Sequence, residues 1–315
     1  MSISELWVEK YRPSTTDGYV FRDNYQKQQI TNWINEGAIP HLLLSGTAGV
    51  GKTTLAKILF NQLNIHPYDI KEINASRTNS VDDIRNIIVN FVSMIPFGKF
   101  KVVLLDEADY LSINAQAVLR GVMEEYHTTA RFILTCNYPN KILPAIHSRC
   151  QGFHIEKVDQ TEFTTRIATI LISENINFEL DTLDTFVKST YPDLRKCINL
   201  VQMNCVDGTL YTPQQGDGNN SDYKIEMVQL FKAGKINQAR KLICSQARPD
   251  EIEDIYRWLY DNIELFGDDD MQEQAILIIK QGLVDHTLVI DPEINLAATL
   301  IRLSNICENR EKEHL

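Results

Sequence analysis

One octapeptide restricts the possible folds of this chain more than any other feature. Gly46-Thr47-Ala48-Gly49-Val50-Gly51-Lys52-Thr53 matches G-x-x-x-x-G-K-[ST], with an apolar run before it and a helical pattern after it. The glycines of such a loop let backbone N–H groups wrap a phosphate chain at the start of a helix. Lys52 neutralises β- and γ-phosphate oxygens, and the Thr53 hydroxyl ligates Mg²⁺. The motif therefore predicts a strand, a phosphate loop and a helix that bind a nucleoside triphosphate.

Two further apolar strands end in polar residues suited to the same chemistry. Val103-Leu104-Leu105-Asp106-Glu107-Ala108-Asp109 passes from a strand into carboxylates. Asp106 can hold the Mg²⁺ shell and Glu107 can act as the base toward an attacking water, although this motif alone would indicate only a strand with an acidic turn. Asn137 follows the third strand, where it can orient that water or form an ordinary turn before Tyr138-Pro139.

Short apolar runs alternate with helical patterns between about residues 39 and 153, which predicts a parallel sheet covered by helices. The expected strands are His41–Ser45, Asp69–Ile73, Lys101–Leu105, Arg131–Thr135 and Gly152–Ile155. Beyond residue 156 the apolar residues recur at helical spacing, and a turn-rich stretch from Val206 to Ser221 separates two helical parts. We expect an α/β P-loop domain (1–155), a small helical domain (156–208), a linker (209–224) and an all-helical domain of about five helices (225–315).

Charge and cysteine usage exclude several classes of protein. A net charge of −11 is unsuited to coating nucleic acid by bulk attraction, so any DNA contact has to be local. The six cysteines include no C-x-x-C pair, which argues against a zinc module or a disulfide framework. The N-terminus shows no signal-peptide pattern and no apolar run is long enough to cross a bilayer, so we expect an intracellular protein with no membrane partner.

The order of motifs resembles the replication factor C and bacteriophage clamp-loader family over residues 5–205. The motifs that carry the resemblance are Trp7-Val8-Glu9-Lys10-Tyr11-Arg12-Pro13, Ile39–Leu44, Asn74-Ala75-Ser76, Asp106-Glu107-Ala108-Asp109, Ser148-Arg149-Cys150 and Pro192-Asp193-Leu194-Arg195-Lys196. Cellular relatives usually carry Gly-Asp-Xaa-Arg at the last of these. That difference and the short chain favour the large-subunit type of T-even-like phages.

This resemblance implies an AAA+ ATPase domain, a helical lid and a C-terminal helical collar that mediates oligomerisation. Members of the family use ATP and Mg²⁺ and work as pentamers with other clamp-loader subunits. ATP binding drives opening of a sliding clamp and binding of primer–template DNA, and hydrolysis releases the closed clamp on DNA. The expected location is the cytoplasm of a bacterial host for a phage protein, or the nucleus for a eukaryotic one.

The resemblance also implies roles for individual residues. Asn137 would be sensor 1, Arg195 would be sensor 2 from the lid, and Arg149 would be an arginine finger acting in a neighbouring subunit. The expected nucleotide contacts are an adenine pocket of Val8, Tyr11, Arg12 and Pro13, the loop Thr47–Thr53, Thr54, Asp106 and Arg195. The loop has Ala48 and Val50 where relatives often have Pro and Thr or Ser, but its glycines and Lys52 are intact.

Gln116 and Arg120 are spaced four residues apart on the helix after the acidic motif, hence on one face. In the family this helix lies near DNA, and the pair resembles the relay that frees Glu107 when DNA binds. The alternative is two solvated polar residues.

Two more segments are candidates for binding partners. Arg77, Ser80 and Arg85 surround a probable helix start whose N–H groups can meet a DNA phosphate. Ile95-Pro96-Phe97, after Met94 and before Gly98, is either a clamp-docking loop or ordinary packing at a helix end.

Two alternative functions remain open from the sequence. One is another AAA+ motor that remodels DNA, such as a branch-migration ATPase; the other is an assembly subunit that binds ATP without hydrolysing it. The presence of Glu107 and Asn137 beside a complete phosphate loop argues against the second, because a structural subunit needs no base.

Overall fold

A parallel sheet forms the centre of the N-terminal part of the chain. The computed structural model describes residues 5–78, 80–155, 157–213 and 222–313. The sheet has five strands in the order β2-β3-β4-β1-β5. The strands are β1 Leu42–Gly46, β2 Ile70–Asn74, β3 Lys101–Asp106, β4 Ala130–Cys136 and β5 Gln151–Ile155. All five predicted strands are present, and every predicted bound lies within one residue of the observed bound.

Helices cover both faces of this sheet. In chain order the helices up to residue 203 are α1 Trp7–Lys10, α2 Asn24–Glu36, α3 Lys52–Gln62, α4 Val81–Val92, α5 Ile113–Glu125, α6 Pro144–His147, α7 Gln160–Ser173, α8 Leu180–Thr190 and α9 Leu194–Met203, of which α8 belongs to a second unit. Leu43 packs with Ile88 of α4 and Leu119 of α5, whereas its neighbour Leu44 packs with Leu55 of α3 in a second cluster. Both faces of β1 are therefore buried, which explains its continuous apolar sequence.

The described residues fall into two compact units. The first contains the residues up to Ile176 together with Tyr191–Met203, and the second contains Asn177–Thr190 and Asn204–Leu315. Helices α7 and α9 thus belong with the sheet, and α8 belongs with the C-terminal helices. The division into P-loop, lid and collar domains at residues 155, 208 and 224 stays a prediction.

The second unit is almost entirely helical. After α8 it contains a hairpin of β6 Cys205–Val206 and β7 Thr209–Leu210. Its remaining helices are α10 Tyr223–Lys232, α11 Ile236–Gln246, α12 Ile252–Asp261, α13 Asp269–His286 and α14 Pro292–Glu313. These are the five helices expected for the C-terminal part, and Tyr256 and Leu300 are fully buried in their core. Of this hairpin only β7 lies within the predicted linker (209–224), since β6 precedes it, and residues 214–221 of that linker lie outside the described residues.

Among the helices that the structure describes, none is both long and apolar enough to span a membrane.

Candidate nucleotide site

The sheet order brings three chemically important segments to one edge. β4 lies between β3 and β1, so the carboxyl ends of these three parallel strands are neighbours. Asp106 ends β3, Asn137 directly follows β4, and the phosphate loop begins at Gly46, the last residue of β1. Ligand sites of parallel sheets lie at this edge. The predicted site residues are therefore close together because of the strand order.

The phosphate loop leaves the start of α3 open. Gly51 occupies the position before α3 without a side-chain cap, so the first backbone N–H groups of the helix are offered to a ligand. Gly46 has φ 147°, and a Cβ there would come within 2.0 Å of the Ile155 carbonyl oxygen. Gly49 has φ 75°, and a Cβ there would come within 1.8 Å of Asp193 Oδ1. These two positions accept only glycine, because the chain passes too close to β5 and to α9.

Lys52 is held by three hydrogen bonds across the loop. Its Nζ donates to Gly46 O at 2.8 Å, to Thr47 O at 2.7 Å and to Asn137 Oδ1 at 2.8 Å. Burial lowers the pKa of the ammonium group, and the positive charge of Arg195 acts in the same direction. All three donors of the ammonium are therefore used within the site.

The carboxylate of Asp106 accepts hydrogen bonds from two hydroxyl groups. Thr53 Oγ1 donates to Asp106 Oδ1 at 2.7 Å, and Thr135 Oγ1 donates to the same oxygen at 2.6 Å. Thr135 Oγ1 also accepts from Glu107 N at 3.0 Å. Glu107 itself has φ 58°, a left-handed backbone conformation that is unusual for a side chain of this kind. Thr135 was not predicted as a site residue, since only its strand was visible in the sequence.

A cleft beside the loop contains the predicted adenine pocket. Its cavity volume is about 70 Å³. Its lining includes Val8, Tyr11, Arg12, Pro13, Gly49, Val50, Gly51, Thr54, Arg166 and Arg195. Thr47 and Ala48 are exposed on the loop. Arg195 is also exposed and lines the cleft, and its role as sensor 2 stays a prediction.

Residues that were not predicted hold the N-terminal segment of this cleft in place. Tyr11 Oη donates to Glu174 Oε1 at 2.7 Å, and Arg166 Nη2 donates to Tyr11 O at 2.6 Å. Trp7 N donates to Gln202 Oε1 at 3.0 Å. These partners lie more than 150 residues away along the chain, so no local pattern indicates them.

Arg149 lies away from this group. It forms an ion pair with Glu124, and its Nη1 donates to Ala145 O at 2.6 Å and to Ser148 Oγ at 3.2 Å. These partners belong to α5, α6 and the adjoining turn, not to the cleft of the same chain. The geometry is compatible with action on a neighbouring subunit, and the role of Arg149 stays a prediction.

The two residues of the predicted relay have different environments. Gln116 is 1% exposed; its Nε2 donates to Leu111 O at 3.2 Å and Lys141 O at 3.0 Å, and its Oε1 accepts from Leu143 N at 2.8 Å. Arg120 is exposed. Gln116 is thus no solvated residue, and it ties α5 to the segment that leads toward Arg149. Its role in a relay stays a prediction.

The predicted DNA contacts surround the start of α4. Arg77, Ser80 and Arg85 are all exposed there, and α4 begins at Val81. The structure therefore presents these side chains to solvent around one helix N-terminus, as the sequence indicated.

The predicted docking loop is an exposed apolar surface on a rigid support. Ile95 is 89% exposed and Phe97 is 73% exposed, while Pro96 is partly buried. Asp69 holds the backbone of this loop: its carboxylate accepts hydrogen bonds from Phe97 N at 3.1 Å and from Gly98 N at 2.7 Å. Tyr68 is also 73% exposed and its ring lies 5.8 Å from that of Phe97. The choice between a clamp-docking loop and packing at a helix end stays a prediction.

ATP and Mg²⁺ fit the residues of this site. The uncapped start of α3 and the buried ammonium of Lys52 suit phosphate oxygens. Thr53 and Asp106 place a hydroxyl and a carboxylate side by side, the oxygen ligands that Mg²⁺ prefers. The described residues contain no group of three His, Cys, Asp or Glu side chains suited to a metal. Mg²⁺ held here would therefore need phosphate and water oxygens as further ligands, as is usual for this ion.

Comparisons with known proteins agree with this geometry. Residues 42–157 match the model of the ATPase family associated with various cellular activities (AAA). The replication factor C small subunit of Sulfurisphaera tokodaii is 34% identical, with 96% of this chain and 97% of that protein covered. That of Methanocella arvoryzae is 38% identical, and the match covers 64% of each chain, less than two thirds of that relative's length.

A solved structure shows the same fold. The Thermotoga maritima RuvB Holliday junction branch migration motor superposes with a TM-score of 0.52 over 62% of this chain and 66% of that one, at 19% identity. At this identity the likeness concerns the fold alone. The expected AAA+ architecture is confirmed, and the chain belongs to the replication factor C small-subunit family.

Proposed function

We propose that this chain is the ATPase subunit of a DNA sliding-clamp loader that acts in DNA replication inside the cell. The observation that carries the proposal is the convergence of Lys52, Thr53, Asp106 and Asn137 at one edge of the sheet. The sequence identity of 34% with a replication factor C small subunit, over 96% of this chain, supports it. The likeness to RuvB supports only the shared fold, so a branch-migration motor is the weaker alternative.

Each residue of the site has a separate role in the proposed phosphoryl transfer. Thr53 and Asp106 would hold Mg²⁺, which would supply positive charge to the phosphates. Lys52 turns part of its hydrogen bonding from Gly46 O and Thr47 O to phosphate oxygens. Glu107 accepts the proton of the attacking water, and Asn137 orients that water. The left-handed backbone at Glu107, fixed by Thr135, sets the direction in which this carboxylate leaves the strand.

Two arginines complete the proposed site. Arg195 reaches toward the terminal phosphate from the cleft of its own chain. Arg149 acts in the site of the next subunit, where a guanidinium that meets the transferring phosphoryl group is worth about 10³ to 10⁵ in rate. In the single chain its side chain is partly exposed and forms an ion pair with Glu124, which Arg149 exchanges for the phosphoryl group of the neighbouring site. Gln116 connects α5 to the backbone before Arg149, which makes it the proposed link between DNA bound near α5 and the neighbouring site.

The C-terminal helices provide the proposed contact between subunits. α13 and α14 and the segment between them carry large exposed apolar side chains: Leu277 at 67%, Leu288 at 78%, Ile290 at 102% and Ile294 at 68%. A chain that stays monomeric rarely exposes such a cluster. We assign it to a collar shared by five copies of this chain or of its relatives.

Two other surfaces serve the proposed clamp and DNA partners. The docking loop around Ile95 and Phe97 offers two large apolar side chains on a backbone held by Asp69, which suits insertion into an apolar pocket of a ring-shaped clamp. Arg77 and Arg85, repeated over several subunits, supply the proposed phosphate contacts of a chain that is acidic overall.

A single experiment tests the function. The ATPase rate of the purified assembly is measured alone, with primed DNA, and with primed DNA plus a sliding clamp from the same source. A clamp loader responds to primed DNA more than to unprimed duplex, and the clamp increases that response. Equal rates in all three conditions, or stimulation by four-way junctions only, would exclude clamp loading and favour a remodelling motor.

A further inference from the structure

A buried carboxylate just after β3 has no role in the chemistry described so far. Asp109 lies in the 3₁₀ turn Ala108–Tyr110 and is 8% exposed. Its Oδ2 accepts a long hydrogen bond from Tyr138 N at 3.3 Å. Its Oδ1 has less than 1 Å² of accessible surface and no hydrogen-bond partner among the described residues. Burial of a carboxylate with so few partners opposes folding, so its presence calls for a functional reason.

The hydrogen bond to the Asp109 carboxylate comes from the backbone next to Asn137. Tyr138 directly follows Asn137, whose side-chain oxygen accepts from Lys52 Nζ at 2.8 Å. On the other side of Asn137, burial and the charge of Asp109 raise the pKa of the Cys136 thiol to about 12. The carboxylate thus lies beside the backbone that carries Asn137 and connects the ends of β3 and β4.

The other restraint on Asn137 is the hydrogen bond from Lys52, whose ammonium group rearranges its hydrogen bonds when nucleotide binds. An ammonium has three donors, and those of Lys52 are occupied by Gly46 O, Thr47 O and Asn137 Oδ1. Lys52 has to release at least one of them when it turns to phosphate oxygens. The hydrogen bond from Tyr138 N to Asp109 involves none of these atoms, so it persists and can hold the Asn137 backbone.

We propose that Asp109 is a positioning residue for ATP hydrolysis: through Tyr138 N–H it fixes the orientation of Asn137 toward the attacking water. The proposal rests on the function assigned above, in which Asn137 acts on that water. It assigns Asp109 no contact with nucleotide or metal.

The test is a double-mutant cycle with a structural readout. Asp109→Leu keeps a similar shape without an acceptor, Asp109→Asn keeps an acceptor without the charge, and Asn137→Ala removes the residue that Asp109 positions. We expect D109L to lower kcat by about 10²-fold, the effect of a misplaced catalytic group, with the Kd for a fluorescent ATP analogue changed less than about 3-fold. The D109L/N137A double variant should be no slower than N137A, because both act through one group. Amide hydrogen exchange at Tyr138 should accelerate in D109L.

D109N separates positioning from charge and remains informative if D109L does not fold. Its retained acceptor should keep both Tyr138 protection and kcat within about 3-fold of the wild type. Full additivity of D109L and N137A, or wild-type turnover of folded D109L, would refute the proposal. So would a D109N enzyme with normal Tyr138 protection and a kcat as low as that expected for D109L. Failure of the wild-type chain to bind the ATP analogue would count against the proposed function instead.

Discussion

The buried ion pair beneath the docking loop allows a quantitative prediction for stability. Asp69 and Lys101 have side chains 0% and 3% exposed, and Lys101 Nζ lies 3.3 Å from Asp69 Oδ1. Asp69→Asn leaves the ammonium buried without its anion, which typically costs about 3–5 kcal/mol. The cation–π contact of Lys101 Nζ with the Phe91 ring, at 4.4 Å from the ring centroid, remains and offsets about 1 kcal/mol of this cost. We therefore expect the free energy of unfolding to fall by about 3 kcal/mol.

The partner variants give smaller expected losses. Lys101→Met removes the cation but leaves Asp69 with the N–H groups of Phe97 and Gly98, so the loss should be about 2 kcal/mol. D69N/K101M has no buried charge and should recover to within about 1 kcal/mol of the wild type. Glu72→Gln breaks the exposed ion pair with Lys57 and serves as the control, with a loss below about 1 kcal/mol.

The assay is urea unfolding of the full chain, followed by circular dichroism and by hydrogen exchange of β3 amides. The exchange data assign any separate transition to the unit that contains the sheet. Additive losses in D69N/K101M, or a D69N loss no larger than that of E72Q, would show that the pair is not the buried charge pair described here.

The same pair predicts a pH dependence. Burial raises the pKa of Asp69, but hydrogen bonds from Gly98 N–H, Phe97 N–H and Lys101 outweigh it, so the pKa is lower than its ordinary value. The stabilisation by Asp69 is therefore present above the ordinary carboxyl pKa and is lost as the pH falls through the lowered one. Between pH 6 and pH 3 the wild type should lose more stability than D69N, and parallel losses would contradict this cause.

Three predictions concern function. Lys52→Ala should abolish ATP binding, whereas Glu107→Gln should retain binding and slow turnover by about 10² or more; equal losses of affinity would contradict the two roles. Arg149→Ala should bind ATP but give assemblies with little hydrolysis, and mixing it with E107Q subunits should partly restore the rate; demonstrably mixed assemblies without any recovery would exclude action in trans. Replacing Arg77 and Arg85 throughout a pentamer should reduce the slope of log affinity for primed DNA against log salt concentration by several units, since each lost phosphate contact removes roughly 0.9 from the slope. The basal ATPase rate should not change. An unchanged slope would place the DNA surface elsewhere.

The nucleotide-binding fold was predictable because its signals are local. A buried parallel strand needs an apolar run, a phosphate loop needs glycines at fixed spacing, and the acidic motif directly follows its strand. The five strands, the AAA+ architecture and the replication factor C family are confirmed. Three expectations stay predictions: that the chain is of the phage large-subunit type, that it contacts DNA and a clamp at the named residues, and that Arg149 acts in trans.

Only the tertiary structure decided which distant residues complete the site. Thr135 reaches Asp106 because β4 lies beside β3, and Asp109 reaches Tyr138 through the same adjacency. Asp69 and Lys101 are 32 residues apart and meet across the β2–β3 pair. Burial makes these contacts consequential, because a hydroxyl or charge removed from water depends on its few remaining partners. Residue spacing along the chain contains no information on that burial, whereas strand order determines it directly.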